Sequence, residues 1–369
     1  MDSATMTART AIRDADLLER LVAEEAKGGP FLRHVVAGLA ADQERRDAER
    51  AREGAMIEAG SRLPHVARRR AAVRAVFENA APTPRDMRHI HSVLAVCGLP
   101  YDRRPATERV HERRQGQMSL RVEAGSLMRP DGTWEEQPLP HGPKARLIFL
   151  HLCSEAVRTK ERTVEVGETL SAFMRDLGFQ VTGGRNGTLR LFKEQINALA
   201  ACSIRVGTFD GTRATTTQFA PFREVDVWMG ADPDQRSLWP STVTFSHEFH
   251  ESLAKHALPV NASAVRAFAG SARKLDLYFW LGYRLHGLRQ PLHISWKALG
   301  EQFGGGFKRE RAFRAQMEDD LAALREVFPA LPVTLGPDGL RLDPCPSETL
   351  ALPARAPAAP VAKRARPRG

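Results

Sequence analysis

Apolar residues recur three and four positions apart along much of this chain, the spacing of a helix with one buried face. In the first eighty or so residues, PFLRHVVAGLAADQERRDAERAREGAMIEAG and HVARRRAAVRAVFENA follow that spacing, but charges of both signs are interleaved. Mixed charge at helical spacing predicts solvated helical surface. APTPRD, Ala81 to Asp86, breaks the run with two prolines. Beyond it Met87, Ile90, Val93 and Leu94 again stand at helical spacing and predict a short helix. MSLRVEAGSLMRPDGTWEEQP then alternates about Asp131-Gly132, the pattern of a hairpin.

From His141 the elements become more regular. GPKARLIFLHLCSEAVR predicts an apolar helix, RTVEV a strand, and GETLSAFMRDLG a second helix ending at Gly178. VTGGRNGTLRLFKEQINALAAC then leads through Gly183, Gly184 and Gly187 into a third, amphipathic helix. Leu189, Phe192, Ile196 and Leu199 fall on one side of it, and Arg190, Lys193 and Asn197 on another. SIRVGTF and TRATTTQFAPF follow, joined at Asp210-Gly211. Helix, strand, helix, helix, strand, turn, strand is the order of a winged helix.

That order returns in SARKLDLYFWLGYRLHGL, PLHI, SWKALGEQFG up to Gly304, KRERAFRAQMEDDLAALREVF and PVTLGPDGLRL. Nearly the same interval separates Asp210-Gly211 from Asp338-Gly339 as separates Gly178 from Gly304, which suggests a duplicated unit. REVDVWMG and STVTFS between the copies read as extra strands, and HEFHESLAKHAL as a helix. The predicted fold class is α+β, mostly helical, with tandem winged-helix domains after an N-terminal helical region. In residue terms this is a charged helical region over 1–85, a short helix and hairpin connector over 86–140, and winged-helix domains over 141–257 and 258–344. A tail over 345–369, rich in Pro and Ala and then basic, is expected to be disordered.

Charge narrows the function classes. With 54 Lys and Arg against 44 Asp and Glu, the net charge of the 369 residues is +10, a field that attracts polyanions. No apolar run is long enough for a membrane span, and the first twenty residues lack the apolar core of a secretory signal, so a cytoplasmic protein is expected. Cys97, Cys153, Cys202 and Cys345 form no C-x-x-C pair and read as reduced, mostly buried thiols.

Long stretches of the chain resemble the RepA-type plasmid replication initiator proteins of bacteria. They are RDMRHIHSVLAVCGLPY, GPKARLIFLHLCSEAVR, LSAFMRDLGFQVTGGRNGTLRLFKEQINALAACSIRVG and LWPSTVTFSHEFHESLAKHALPVNASAVRAFAGSARKLDLYFWLGYRLHGLRQPLHISW. The resemblance runs from about Met87 to about Leu342. It implies binding to repeated double-stranded DNA sites in a plasmid origin, melting of nearby DNA, and recruitment of a host replication initiator and the replicative helicase. Related initiators further suggest a homodimer that represses its own gene, a route to copy number control, alongside an initiating monomer. No enzymatic activity, cofactor or membrane is implied.

In a winged helix the third helix enters the major groove. Arg190, Lys193 and Asn197 are therefore the first candidate reading residues, with Arg185, Asn186 and Thr188 at the helix entrance and Arg213 in the first wing. Lys308, Arg309, Arg311 and Arg314 are their counterparts in the second copy. Arg suits guanine, Asn suits adenine, and Lys holds phosphate. A transcriptional repressor would use the same residues.

Three enzymatic readings compete. A rolling-circle endonuclease would take a metal on His89 and His91 and use Tyr101 as nucleophile, but its histidine pair belongs on a strand and the apolar spacing here predicts a helix. SHEFHESLAKH places His247 and His250 three apart, with Glu251 and His256 beyond, where the zinc motif H-E-x-x-H needs histidines four apart. GGRNGT and GEQFGGGFKRE lack the Gly-Lys-Ser/Thr ending of a phosphate-binding loop.

Overall fold

The computed structural model describes residues 9–27, 34–44, 65–79, 82–129, 131–177, 188–225 and 242–352, with 32, 47 and 179 between them. It divides into two units, Met1–Ala80 and Ala81–Gly369. In the first, α1 (Ala15–Lys27), a helical stretch over 34–44 and α2 (His65–Asn79) are the regular elements. Their mixed charges do face solvent, as in the Arg9–Glu25 pair at 2.7 Å. The unit nevertheless has its own core, built by Ile12, Leu17 and Leu21 with Val36 and Leu39. Buried Gln43 anchors its edge. Its carbonyl accepts from the backbone N–H groups of Arg13 and Asp14 at 3.0 and 2.9 Å, and its amide donates to Asp14 and Asp47.

The second unit begins with β1 (Met87–His91) and α3 (Ser92–Val96). The helix expected across this stretch is thus a strand for its first five residues. β1 pairs antiparallel with β11 (Ala257–Asn261), a partner far along the chain that local periodicity cannot register. The apolar spacing that suggests one helix spans a strand–helix junction, capped where His91 Nδ1 accepts from the Val93 N–H at 3.2 Å. β11 repeats the device, running into α8 (Ala262–Phe268) with the Asn261 side chain accepting from the Ser263 and Ala264 N–H groups.

Two helices form the centre of this unit. α4 (Gly142–Thr159) is buried without a break from Ala145 to Ser154, and α9 (Ala272–His286) from Leu275 to Gly282. A helix that is apolar on every side belongs inside a core. The two are locked by Arg146 and Asp276, whose guanidinium and carboxylate meet through two bonds of 2.5 and 2.7 Å. The remaining Arg146 donors reach the carbonyls of Leu99, Pro100 and Gly142. A buried charge pair is tolerable only when its other hydrogen-bonding capacity is met in this way. Gly98 is required beside it, because a Cβ there would stand 2.1 Å from Asp276 Oδ2.

After α4 come β6 (Thr163–Glu165), α5 (Gly167–Asp176) and α6 (Thr188–Ala201). β7 (Ser203–Phe209) and β8 (Ala214–Phe219) follow as the expected hairpin. However, this hairpin does not pair with β6. β7 joins β3 (Met118–Glu123), which pairs with β2 (Val110–Gln115), giving the order β2-β3-β7-β8. The partners of β6 come from the stretches that read as extra strands: β9 (Phe222–Val225) and β10 (Thr242–Phe245), in the order β6-β10-β9. A six-residue ladder with β3 outweighs what the three residues of β6 offer to β7. Of the hairpin expected about Asp131-Gly132 only the inner part forms, as β4 (Ser126–Met128) and β5 (Trp134–Glu136), while Met118–Glu123 joins β2 and β7 as β3.

α9 leads into β12 (Leu292–Ser295), α10 (Trp296–Phe303), α11 (Glu310–Val327), β13 (Val333–Gly336) and β14 (Gly339–Leu342). The sheet order is β12-β14-β13, the first–third–second arrangement already seen in β6-β10-β9. The two copies therefore share element order and sheet order once the β7–β8 hairpin is set aside as an insertion. The two Asp-Gly turns are not equivalent, and Gly178 lies outside the described residues. Gly339 is forced by its setting, with a φ of +152° and the Ile294 carbonyl oxygen only 2.0 Å from where a Cβ would stand. The start of the tail is also ordered, against expectation. Leu350, Ala351 and Leu352 are buried, and the Ala351 carbonyl accepts from Asn261 Nδ2 at 3.1 Å. Residues 353–369 lie outside the described residues. The described residues form an α+β fold, with helices carrying about half of them rather than most.

Candidate nucleic-acid interface

The sequence pattern divides α6 into an apolar and a polar side. Its second half instead has no open side, since Gln195, Ile196, Asn197, Ala198 and Leu199 are all buried. α4 covers one flank, while β4 and β9 approach others. Asn197 is 8% exposed and its Oδ1 has no hydrogen-bond partner among the described residues, so the side chain is buried rather than open to solvent. A helical wheel places it beside Arg190 and Lys193. Neighbours that a wheel does not contain close over it.

The first half of α6 behaves differently. Arg190 is exposed, and Lys193 is half-buried, with burial lowering its ammonium pKa. Arg185 and Asn186 lie outside the described residues, as does the side chain of Thr188, whose backbone opens the helix. Around Arg190 a cleft of about 230 Å³ brings in Arg103, from the segment after Tyr101, and Lys144, from the first turn of α4. Neither stands out in the sequence. Nothing in a linear pattern links residues 103, 144 and 190.

Arg213 is exposed in the β7–β8 turn. The Asp210 carboxylate shapes that turn by accepting from the Thr212 and Arg213 N–H groups at 2.9 and 2.8 Å, which lowers its pKa. On the face of the same sheet, two of the arginines are neutralised by carboxylates. Arg121 and Arg205 stand opposite each other in the ladder, and Glu123 accepts from both, with Glu112 paired to Arg121. Opposed like charges are held apart by carboxylates.

In the second copy Lys308, Arg309 and Arg311 are exposed at the start of α11. Arg309 is the N-cap residue and its side chain makes no capping bond. A cleft of about 330 Å³ runs beside them, lined by Trp296, Lys297, Phe307 and Phe313. Arg314 is more committed. It stacks over the Trp296 ring at 4.8 Å, pairs with Glu310, and points a second nitrogen at the Pro337 carbonyl.

The residues of the competing readings lie elsewhere. His89 and His91 do sit on a strand, as an endonuclease would need. His91, however, is spent on capping α3 and on a 3.0 Å contact with Ser252 Oγ, and burial depresses its pKa to about 4. The Tyr101 hydroxyl accepts from Arg113 at 3.1 Å, and its ring is faced by the guanidiniums of Arg113, Arg146 and Arg273 at 4.7 to 5.3 Å. Burial raises its pKa, with Asp276 adding to that and the arginines opposing it. His247 contacts Glu251 at 3.5 Å. Among the described residues, no group of three His, Cys, Asp or Glu side chains is placed to hold a metal. Cys97, Cys153 and Cys202 are buried free thiols, and burial raises the pKa of Cys97 to about 11 and of Cys202 to about 12. No described helix is long and apolar enough to cross a membrane.

Residues 139–297 match the family described as plasmid encoded RepA protein. The matched span is less than half of the chain and is similar to that family. The RepA region opens just ahead of α4 and closes in the first turn of α10, so it holds Lys144, Arg190, Lys193 and the clamped pair of α4 and α9. It stops short of α11. The family is the one that the sequence resemblance named, the RepA-type plasmid replication initiators. No curated protein matches the chain. Among solved structures, one of domains 2 and 3 of RctB, in selenomethionine form, aligns at 10% identity over 66% of this chain and 87% of its own, with a TM-score of 0.43. A likeness that loose carries no statement about the fold or function of the RepA region.

Proposed function

We propose that the protein initiates replication of a plasmid by binding repeated double-stranded sites in its origin. Its two copies of helix, strand, helix, helix and first–third–second sheet act as tandem winged helices, with α6 and α11 as the reading helices. The observation that carries this is the RepA match, which encloses the first of these copies together with its exposed Arg190. The net charge of +10 supports a polyanionic partner. Arg190, Lys193, Lys308, Arg309 and Arg311 supply base-edge and phosphate contacts at the N-terminal turns of the two helices, where groove-entering helices place them. Arg213 adds a contact from the β7–β8 turn. The protein binds and opens DNA without chemistry of its own, and host replication proteins, the replicative helicase among them, are recruited to the opened site. A homodimer would add repression of its own gene to this role.

The experiment is in two steps. Affinity for DNA flanking the gene should exceed that for unrelated duplex, and log affinity should fall steeply and linearly with log salt. A plasmid carrying only the gene and that DNA should then replicate. Specific binding without replication would make the protein a repressor, and binding that ignores sequence would overturn the reading.

A further inference from the structure

The cleft beside Arg190 has a chemical character of its own. Arg103, Lys144 and Arg190 converge on it, and Glu194 is the only carboxylate among the described residues of its lining. Glu194 faces Arg103 at 3.4 Å, and the Arg103 side chain is 65% exposed, a loose pair that solvent weakens further. Neither Lys144 nor Arg190 pairs with a carboxylate among the described residues. Lys144 is half-buried, and desolvation by burial lowers its pKa. The nearby His141 is already engaged, its backbone N–H donating to Gln195 Oε1 at 2.8 Å and its ring contacting the Leu139 carbonyl and Gln195. A partly desolvated ammonium without a counterion is unfavourable in an isolated protein. The cost is recovered when an anion enters.

We infer that this cleft seats a backbone phosphate of duplex DNA, contacted by Lys144 and Arg103 together with Arg190. The first reading surface then extends from α6 onto the first turn of α4 and the segment after Tyr101. The inference rests on the proposed role of α6 and assigns it two phosphate-binding residues that lie off the reading helix itself. A guanidinium grips phosphate through paired donors and an ammonium as a point charge, and contacts of this kind fix the register of a reading helix without reading bases.

The test uses the full-length chain and fluorescence anisotropy on gene-flanking and unrelated duplexes across a salt series. Arg103→Ala and Lys144→Met should each weaken binding by the same factor on both duplexes, and each should reduce the magnitude of the salt slope by about 0.9. Arg158→Ala removes a charge at the far end of α4, where Arg158 pairs with Glu155, and should leave the slope unchanged. Arg103 is exposed enough that its loss cannot unfold the protein, which keeps the test open if Lys144→Met is unstable. A wild type with a steep slope that Arg190→Ala reduces, but Arg103→Ala and Lys144→Met do not, would overturn the inference and leave the proposed function standing. Absence of DNA binding by the wild type would overturn both. Displacement of DNA by inorganic phosphate at constant ionic strength, with slopes unaltered in the variants, would assign the cleft to a free oxyanion and also overturn it.

Discussion

α6 and α11 end the same run of elements, yet they show their surroundings very different amounts of themselves. α6 is buried from Gln195 to Leu199, and among its described side chains the exposed ones are Arg190 and Leu191. α11 buries one face, with Phe313, Met317, Asp320, Leu321, Leu324 and Val327 on it, and leaves the other exposed. That open face turns acidic at Glu318 and Asp319, so its cationic part is again the first turn. In one helix packing confines the positive surface, and in the other charge does. The two arrive at similar N-terminal surfaces by different physical routes.

The severest way to break the comparison is to release the clamp that both copies share. Asp276→Ala leaves Arg146 buried and unpaired between α4 and α9, and should cost about 3–5 kcal/mol in urea unfolding. A loss under about 1 kcal/mol would mean that the two central helices hold together without it. Next in size is the contrast within α6. Arg190→Ala should weaken binding to gene-flanking DNA by about 1–3 kcal/mol if the arginine meets a guanine edge, measured by anisotropy at fixed salt.

Acid should act on the first copy and on the junction. His91, His111 and His151 lie on β1, β2 and α4, are all buried, and have pKa values depressed to about 4, chiefly by desolvation. Above about pH 6.5 these imidazoles are neutral both folded and unfolded, and they contribute no pH dependence. Between about 6.5 and 4 the unfolded chain binds protons that the folded one refuses, so stability falls as pH falls, by about 1.4 kcal/mol per pH unit for each histidine. Urea midpoints at several pH values would check this, and a flat profile from pH 7 to 5 would contradict it. The smallest effect belongs to Asn197→Ala. Removing a buried carbonyl without a partner offsets the packing lost, so stability should stay within about 1 kcal/mol of wild type, with DNA affinity unchanged. A change in base preference would return Asn197 to the reading surface.

Helix positions within the second unit were readable because apolar spacing is a local signal, and α4, α5, α6, α7 (His247–His256), α9, α10 and α11 all fall where it placed them. Strand pairing was not. That β7 joins β3 and leaves β6 to β10, or that Met87–His91 is a strand, depends on partners distant in sequence. The candidate site divides in the same way. Arg190 and the exposed cations before α11 followed from the pattern, whereas the closing of α6 over Asn197 and the commitment of Arg314 to Trp296 did not.

The chain by itself determined which segments are helical, that its net charge favours a polyanion, and, through long matching stretches, its resemblance to RepA. Those properties are set by residues near one another in sequence or by simple sums over it. Which positive charges remain available was decided only by the tertiary structure. Glu112 and Glu123 neutralise Arg121 and Arg205 on one sheet, Asp276 consumes Arg146, and Arg103, Lys144 and Arg190 meet in one cleft. Whether a charge is screened, paired or free depends on distance in space, and folding sets those distances between residues that the sequence keeps far apart.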